Sequence, residues 1–475
     1  MQPQSQKPAS KKKFWLLVTL IPLGLIVLLF LIATLVITTY QSSSSDTSSV
    51  SMRPSTTTGF MSNGYADGTN ELTVSSTDGF TRNLLGASSD YSLFVTFKHS
   101  GAHGMRPSAL EVRRAADGTV ARTIEGLESC SIVTPEDTVF CSMQDASGAS
   151  RSLVELSISS GEVSGQRTAL TAITDDMTTP EGDAIASFYT NTVDYLGTAG
   201  DKNVFVVTQW RSLGTPEYAF AVLLNKDNSL GWSTHIEGAN VGSSYALVND
   251  GKGVISHASG ESQGITVIDL ESKATEFFED VAPMMASVTL TNDGWVIDSS
   301  QVGSTGISIN DDTTSEDMVE AFDLNGKSIK KAPRLHMIKP SSNLFSRSRI
   351  VYQSAESLLD TSDYTAPLIV DGEGNVVAQH IFGNAGKDRF EAAVSGKRHD
   401  GYIRMVSLDG KTVLTNPDDS DGAQSSLVEL STGRSIKDIK LEGDLARIEI
   451  AAGILYSDNG YGEDQKMTIY LPKAS

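Results

Sequence analysis

Hydrophobic and polar positions fall into three regimes along the chain. From Phe14 to Tyr40 the run FWLLVTLIPLGLIVLLFLIATLVITTY carries no charge, and at about 1.5 Å of rise per residue a helix of that length exceeds the roughly 30 Å hydrocarbon core of a bilayer. It predicts a transmembrane helix over 14–40, with a kink near Pro22 and Gly24 that membrane spans tolerate. Residues 41–70, opening QSSSSDTSSVSMRPSTTTGF, are polar and Ser/Thr-rich, and predict a flexible stalk. From residue 71 to the end the chain alternates apolar and polar positions in short runs separated by Gly-containing or small polar turns, the pattern of half-buried strands.

One unit recurs seven times in that third region: an alternating strand, a tight turn and a second alternating strand. The copies are LEVRRAADGTVAR from Leu110, LVELSISSGEVSG from Leu153, AFAVLLNKDNSLGWSTHI from Ala219, ITVIDLESKATEFF from Ile265, VEAFDLNGKSIKK from Val319, PLIVDGEGNVVAQ from Pro367 and LVELSTGRSIKDIK from Leu427. Successive turns lie on average about 50 residues apart, the length of one propeller blade. Each copy follows two further strand-like runs, for example SSYALVND and KGVISHA before Ile265, so two inner strands and an outer hairpin make a four-stranded blade. After the last copy come LARIEI, GILYSD and KMTIYLP and then the end, one strand short of a blade. The run ELTVSS from Glu71 is expected to fill that place and remove an exposed edge. The fold class expected is therefore all-β: a β-propeller of eight four-stranded blades, alternatively seven, over residues 71–475 and preceded by one transmembrane helix.

Charge sets the orientation. Lys11, Lys12 and Lys13 abut the apolar run while Ser, Thr and Asp46 follow it, so residues 1–13 are expected to be a cytoplasmic tail and the propeller extracytoplasmic, in the cell membrane as a single-pass protein. A cleaved signal peptide is the competing reading, but its apolar region is normally about 7–15 residues and ends at small residues, whereas this one ends ITTYQ. The net charge is −21 although residues 1–40 contain lysines and no acids, which argues against a nucleic acid partner.

The outer-hairpin strings VIDLESKA, AFDLNGKS and LVELSTGRS resemble the PQQ-like propeller repeat. That family includes quinoprotein dehydrogenases and non-enzymatic envelope-assembly propellers, usually of eight blades, and the resemblance spans nearly all of residues 71–475. Its blade-docking tryptophan is approached at Trp232, whereas Trp15 lies in the apolar run and Trp210 and Trp295 lie on inner strands. The resemblance implies architecture and does not extend to quinone-dependent activity.

Chemistry is sparse. Cys130 and Cys141 are the only cysteines; a two-residue turn at Pro135 and Glu136 places 133 opposite 138 and 130 opposite 141, within disulfide range. Outside the membrane a bond is expected, the alternative being two buried thiols. Gly260-Glu261-Ser262-Gln263-Gly264, near His257, matches a nucleophile-elbow string, but a strand follows it where an elbow requires a helix. His99 and His103 have helical metal spacing in a glycine-rich segment without a third ligand. Acidic loops occur at Asp311, Asp312, Glu316 and Asp317, at Asp418, Asp419 and Asp421, and at Asp458, Glu463 and Asp464, read as solvated turns because the calcium-loop register fails. No catalytic, cofactor or metal residue is assigned. The function expected is a non-catalytic module of the cell envelope that holds a protein or glycan; the alternative is a carbohydrate-active hydrolase or lyase with acids at the central channel.

Overall fold

The computed structural model describes residues 59–473 with internal gaps, the longest being 299–317, 334–351 and 360–367. Among the described residues are eight four-stranded antiparallel sheets, numbered here in chain order: 80–125, 127–169, 189–236, 244–283, 287–333, 368–400, 402–440, and 447–472 with 69–75. In the first seven the strands run innermost to outermost as they follow along the chain. Innermost strands of consecutive sheets touch, as between sheets two and three, three and four, and eight and one. Repeated meanders joined inner edge to inner edge make a β-propeller.

The sequence accounts for this packing. Val204, Phe205, Val206 and Val207 in the second strand of sheet three are all buried. Phe205 and Val207 enter a core with Phe140 and Leu153 of sheet two, while Val204 and Val206 enter another with Ile255 and Ile268 of sheet four. A strand covered on both faces reads as a continuous apolar run. The outermost strand Val120–Glu125 is by contrast almost wholly exposed. Gly161 turns an outer hairpin at φ +65°, where a Cβ would also come within 2.6 Å of Val112 in the preceding sheet. Trp232, on the outermost strand of sheet three, donates its indole N–H to the Leu270 carbonyl at 3.0 Å and packs with Ile255, Ile268 and Leu270 of sheet four. Trp232 thus joins sheet three to sheet four.

Sheet eight is built from both ends of the region. The strand Thr69–Ser75 pairs antiparallel with Lys466–Pro472, in register from Thr69 opposite Pro472 to Ser75 opposite Lys466, as the run from Glu71 predicts. The stalk boundary at residue 70 is corrected, because the packed chain begins by residue 59. Phe60 is buried among apolar residues of sheets six and seven, and Met61 and Tyr65 among those of sheets seven and eight. The Tyr65 hydroxyl donates to the Tyr470 carbonyl at 2.7 Å and accepts from the Leu455 N–H at 2.8 Å. Three large side chains in an otherwise polar stretch are enough to anchor it. The run 14–40 lies outside the described residues, among which no helix is long and apolar enough to cross a membrane.

The sixth hairpin also changes place. PLIVDGEGNVVAQ supplies Leu368–Val370 and Val376–Phe382, the innermost pair of sheet six, and not the outer pair. An inner and an outer hairpin share the same period-two pattern and turn residues, so the string does not distinguish them.

Cys130 and Cys141 face one another in register and form a disulfide, with Cα atoms 4.0 Å apart. The hairpin closes one residue later than expected: the Thr134 N–H donates to the Thr138 carbonyl at 2.8 Å, and Asp137 takes a positive φ of 56°. The bond spans a sequence separation of 11, and a loop of that size lowers the entropy of the unfolded chain enough to be worth about 2–3 kcal/mol. Replacing both cysteines with alanine is expected to lower unfolding stability by about that amount without altering the far-ultraviolet circular dichroism; unchanged stability would mean that the bond constrains nothing.

Candidate functional site

One end of sheets two and three gathers a polar and aromatic set from separate strands. Glu128 stands on the innermost strand of sheet two, Leu127–Cys130, and Arg151 opens its third strand. The Arg151 Nε–H donates to Glu128 Oε1 at 2.6 Å. The Thr190 backbone N–H reaches Glu128 Oε2 at 3.3 Å, and the Ser142 hydroxyl lies 3.2 Å from that oxygen and 2.9 Å from Thr190 Oγ1. Tyr189 begins the innermost strand of sheet three; its ring lies 5.6 Å beneath the Arg151 guanidinium and the residue is 40% exposed. Arg211 pairs with Asp183 and sits 5.6 Å over the Phe188 ring. The connection 170–188 is held against these sheets because Leu170, Ile173, Ile185 and Phe188 enter their shared core. Cation–ring contacts of this kind hold a guanidinium beside an aromatic surface without consuming its N–H donors.

Next to this surface the chain buries an amide. Gln209, register partner of Thr190, is fully buried, and neither Oε1 nor Nε2 has a hydrogen-bond partner among the described residues.

A second charged cluster closes the seam between sheets one and eight. Arg82, 2% exposed, makes a two-point contact with Glu111, Nε to Oε2 and Nη2 to Oε1, both at 2.9 Å, and donates from Nη1 to the Ser76 hydroxyl at 2.7 Å. Arg113 adds two further bonds to Glu111 Oε2. Gln465 straddles the seam: its Oε1 accepts from the Arg82 N–H at 2.7 Å, and its Nε2 donates to the Arg82 carbonyl at 2.9 Å and to Asp458 Oδ2 at 3.0 Å. Burial would push the Glu111 carboxyl up, but hydrogen bonds and charge from Arg82 and Arg113 outweigh it and hold Glu111 below its ordinary value. Burial likewise raises Asp458, and the opposing bonds from Gln465 and Gly460 and the charge of Arg447 do not cancel it. Asp458 is 1% exposed, so the reading of it as a solvated turn is corrected; the string Asp-Asn-Gly marks a turn but not the Gln465 amide that covers it.

These shifts give a signed pH dependence. Asp458, raised in the folded state, contributes stability that is fully present below the unfolded value of about 4 and is lost as pH rises through the raised folded value. Glu111, lowered, contributes stability present above the unfolded value of about 4.3 and lost as pH falls through its depressed folded value. The melting midpoint of Asp458→Asn is therefore expected to lose the gain that wild type shows between neutral and mildly acidic pH. Identical pH profiles for the two would mean that Asp458 does not titrate there.

Other motif residues are not drawn together. His257 is buried, with Nε2 3.0 Å from Thr266 Oγ1 and its ring stacked on Phe277. The string around Ser262 joins two strands of one hairpin, in which Ser259 pairs with Ser262, as read from the sequence. His99 ends a strand; His103, Glu463, Asp464 and the acidic loops at 311–317 and 418–421 lie outside the described residues. Among the described residues no group of three His, Cys, Asp or Glu could hold a metal ion.

No known family profile matches this sequence, and no curated protein matches it. Solved structures share its general form at low identity. The chain is similar to dihydro-heme d1 dehydrogenase NirN in complex with DHE, at 12% identity and TM-score 0.36 over 75% of this chain and 66% of that one. It is similar to apo AztD from Citrobacter koseri at 12% identity and TM-score 0.33, over 80% of this chain and 89% of that one. The β-propeller domain of the Trilobed protease from Pyrococcus furiosus, described by its open velcro topology, gives 8% identity and TM-score 0.31 over 75% and 96%. Likenesses this loose say nothing about what the present chain binds or does.

Proposed function

We propose that this chain is a single-pass, membrane-anchored propeller of eight blades, built on a degenerate PQQ-like repeat, that holds a protein or glycan partner outside the membrane without catalysis. The supporting observation is the half-exposed Tyr189 ring clasped by Arg151, itself fixed by Glu128. A rigid aromatic beside an oriented guanidinium is the composition of a binding hot spot. Its residues come from sheets two and three, so the fold positions them before any partner arrives. The anchor over 14–40 and its lysine flank support placement at the cell envelope.

The second reading, a carbohydrate hydrolase or lyase, would look to Glu449 and Asp458, which both lie against Arg447. The near-complete burial of Asp458 favours a role in the seam instead. Crosslinking intact cells that carry the full chain, wild type or Tyr189→Ala, followed by mass spectrometry, tests the first reading. A partner captured by wild type and lost in the variant supports it; an unchanged set of crosslinks removes this face from consideration.

A further inference from the structure

Four charged groups on the face described above cancel. Glu128 is paired with Arg151 and Asp183 with Arg211, so these four groups carry charge of both signs and together no net charge to attract a strongly ionic ligand. Yet it keeps unused hydrogen-bonding capacity. The Arg151 side chain is only 10% exposed, and of its five N–H donors only the one on Nε has a partner among the described residues. Its two Nη groups stand beside the exposed Tyr189 ring. The contacts to Glu128 Oε2 are long, 3.2 and 3.3 Å, leaving that carboxylate able to accept more. Gln209, next in from Thr190, adds an amide donor and an amide acceptor that are both unmatched although fully buried. A buried polar group left in that condition is costly, and a water bridging it to a bound hydroxyl offsets the cost.

A flat ring, a donor fork, a carboxylate and an amide, together without net charge, match one ligand chemistry better than others. A pyranose offers an apolar C–H face for the ring and neighbouring hydroxyls that donate and accept at once. We propose that the Tyr189–Arg151–Glu128 cluster binds an uncharged hexopyranose residue of a glycan. The sugar's C–H face packs against the exposed part of Tyr189 beside the guanidinium, its hydroxyls accept from the Arg151 Nη groups and donate to Glu128, and Gln209 lies buried next to Thr190, within reach of a bridging water. This rests on the reading of the same face as the partner-binding face, and narrows the partner to a neutral saccharide.

The test uses the full-length chain in phosphatidylcholine nanodiscs, which carry no sugar headgroup. Maltohexaose, cellohexaose, laminarihexaose and chitohexaose are each titrated by calorimetry and by saturation-transfer NMR. At least one is expected to bind saturably, with affinity lowered about tenfold or more, equivalent to about 1.4 kcal/mol, by Tyr189→Ala and by Arg151→Met. Ile329→Ala, at an exposed position elsewhere, should bind as wild type does. Gln209→Leu should weaken the sugar without lowering the melting midpoint, because it removes an unmatched buried amide; a glutamine with a purely structural role would move the midpoint and not the affinity. Oligosaccharide binding that survives both Tyr189→Ala and Arg151→Met overturns the site. If no oligosaccharide binds while Tyr189→Ala still abolishes crosslinking to a protein, the saccharide assignment falls and the partner-binding face stands. If neither sugar nor crosslinks respond to Tyr189→Ala, both fall.

Discussion

Removing residues 1–75 is expected to abolish the folded state, whereas removing residues 1–58 should leave it intact. The difference is the short segment that completes sheet eight. It buries Phe60, Met61, Tyr65, Leu72 and Val74, and burial of side chains of that size is worth about 1.5–3 kcal/mol each. Five of them approach the whole net stability of an ordinary domain, about 5–15 kcal/mol. The loss also uncovers Lys466–Pro472 along its full length, an unpaired strand edge prone to pairing with other chains. Size-exclusion chromatography and circular dichroism of the two truncations provide the check. A monomeric, cooperatively melting product that starts at residue 76 would show that sheet eight is stable with three strands.

Glu111→Ala should be the most damaging single substitution at the seam, lowering stability by about 3–5 kcal/mol. It removes both charge-assisted bonds from Glu111 to the Arg82 guanidinium, 2% exposed, and deleting one partner of a buried ion pair costs more than the intact pair contributes. Replacing both members, Arg82→Met with Glu111→Leu, should recover part of that loss, since apolar groups of similar volume remove the Arg82 desolvation penalty together with the attraction, while Arg113 still loses its bonds to Glu111. Denaturant titration of the two variants distinguishes these cases. A double variant as unstable as Glu111→Ala would mean that packing, and not stranded charge, governs the seam.

The sequence disclosed those features that repeat locally or close over a short distance. Period-two alternation and turn residues marked the outer hairpins, the missing last strand pointed back to Glu71, and hairpin arithmetic brought Cys130 to Cys141. It was silent on what crosses between sheets. Alternation tells which residues share a face of a strand, but not which neighbouring sheet covers that face. Glu128, Arg151 and Thr190 therefore meet without any string announcing them, and Arg82 finds Gln465 with a separation of 383. The same blindness made the hairpin from Pro367 look like an outer pair and Asp458 like a surface turn. The one hint available was Tyr189, Trp210 and Arg211 near the ends of adjoining strands, aromatic and cationic residues that sheet packing does not by itself require.

The closure of sheet eight bears on how the molecule is made. Its strand Thr69–Ser75 leaves the ribosome well before its partner Lys466–Pro472, and Tyr65 must find Tyr470 across a separation of 405. Contacts that distant form slowly, because a large loop must be ordered before they repay it. Until that partner is made, the earlier strand has an unpaired edge open to competing strands. Closure of the sheet waits on a strand made much later, and variants that slow it, more than those that weaken a finished sheet, should be seen as lost yield in cells before they are seen as a lowered melting point in a tube.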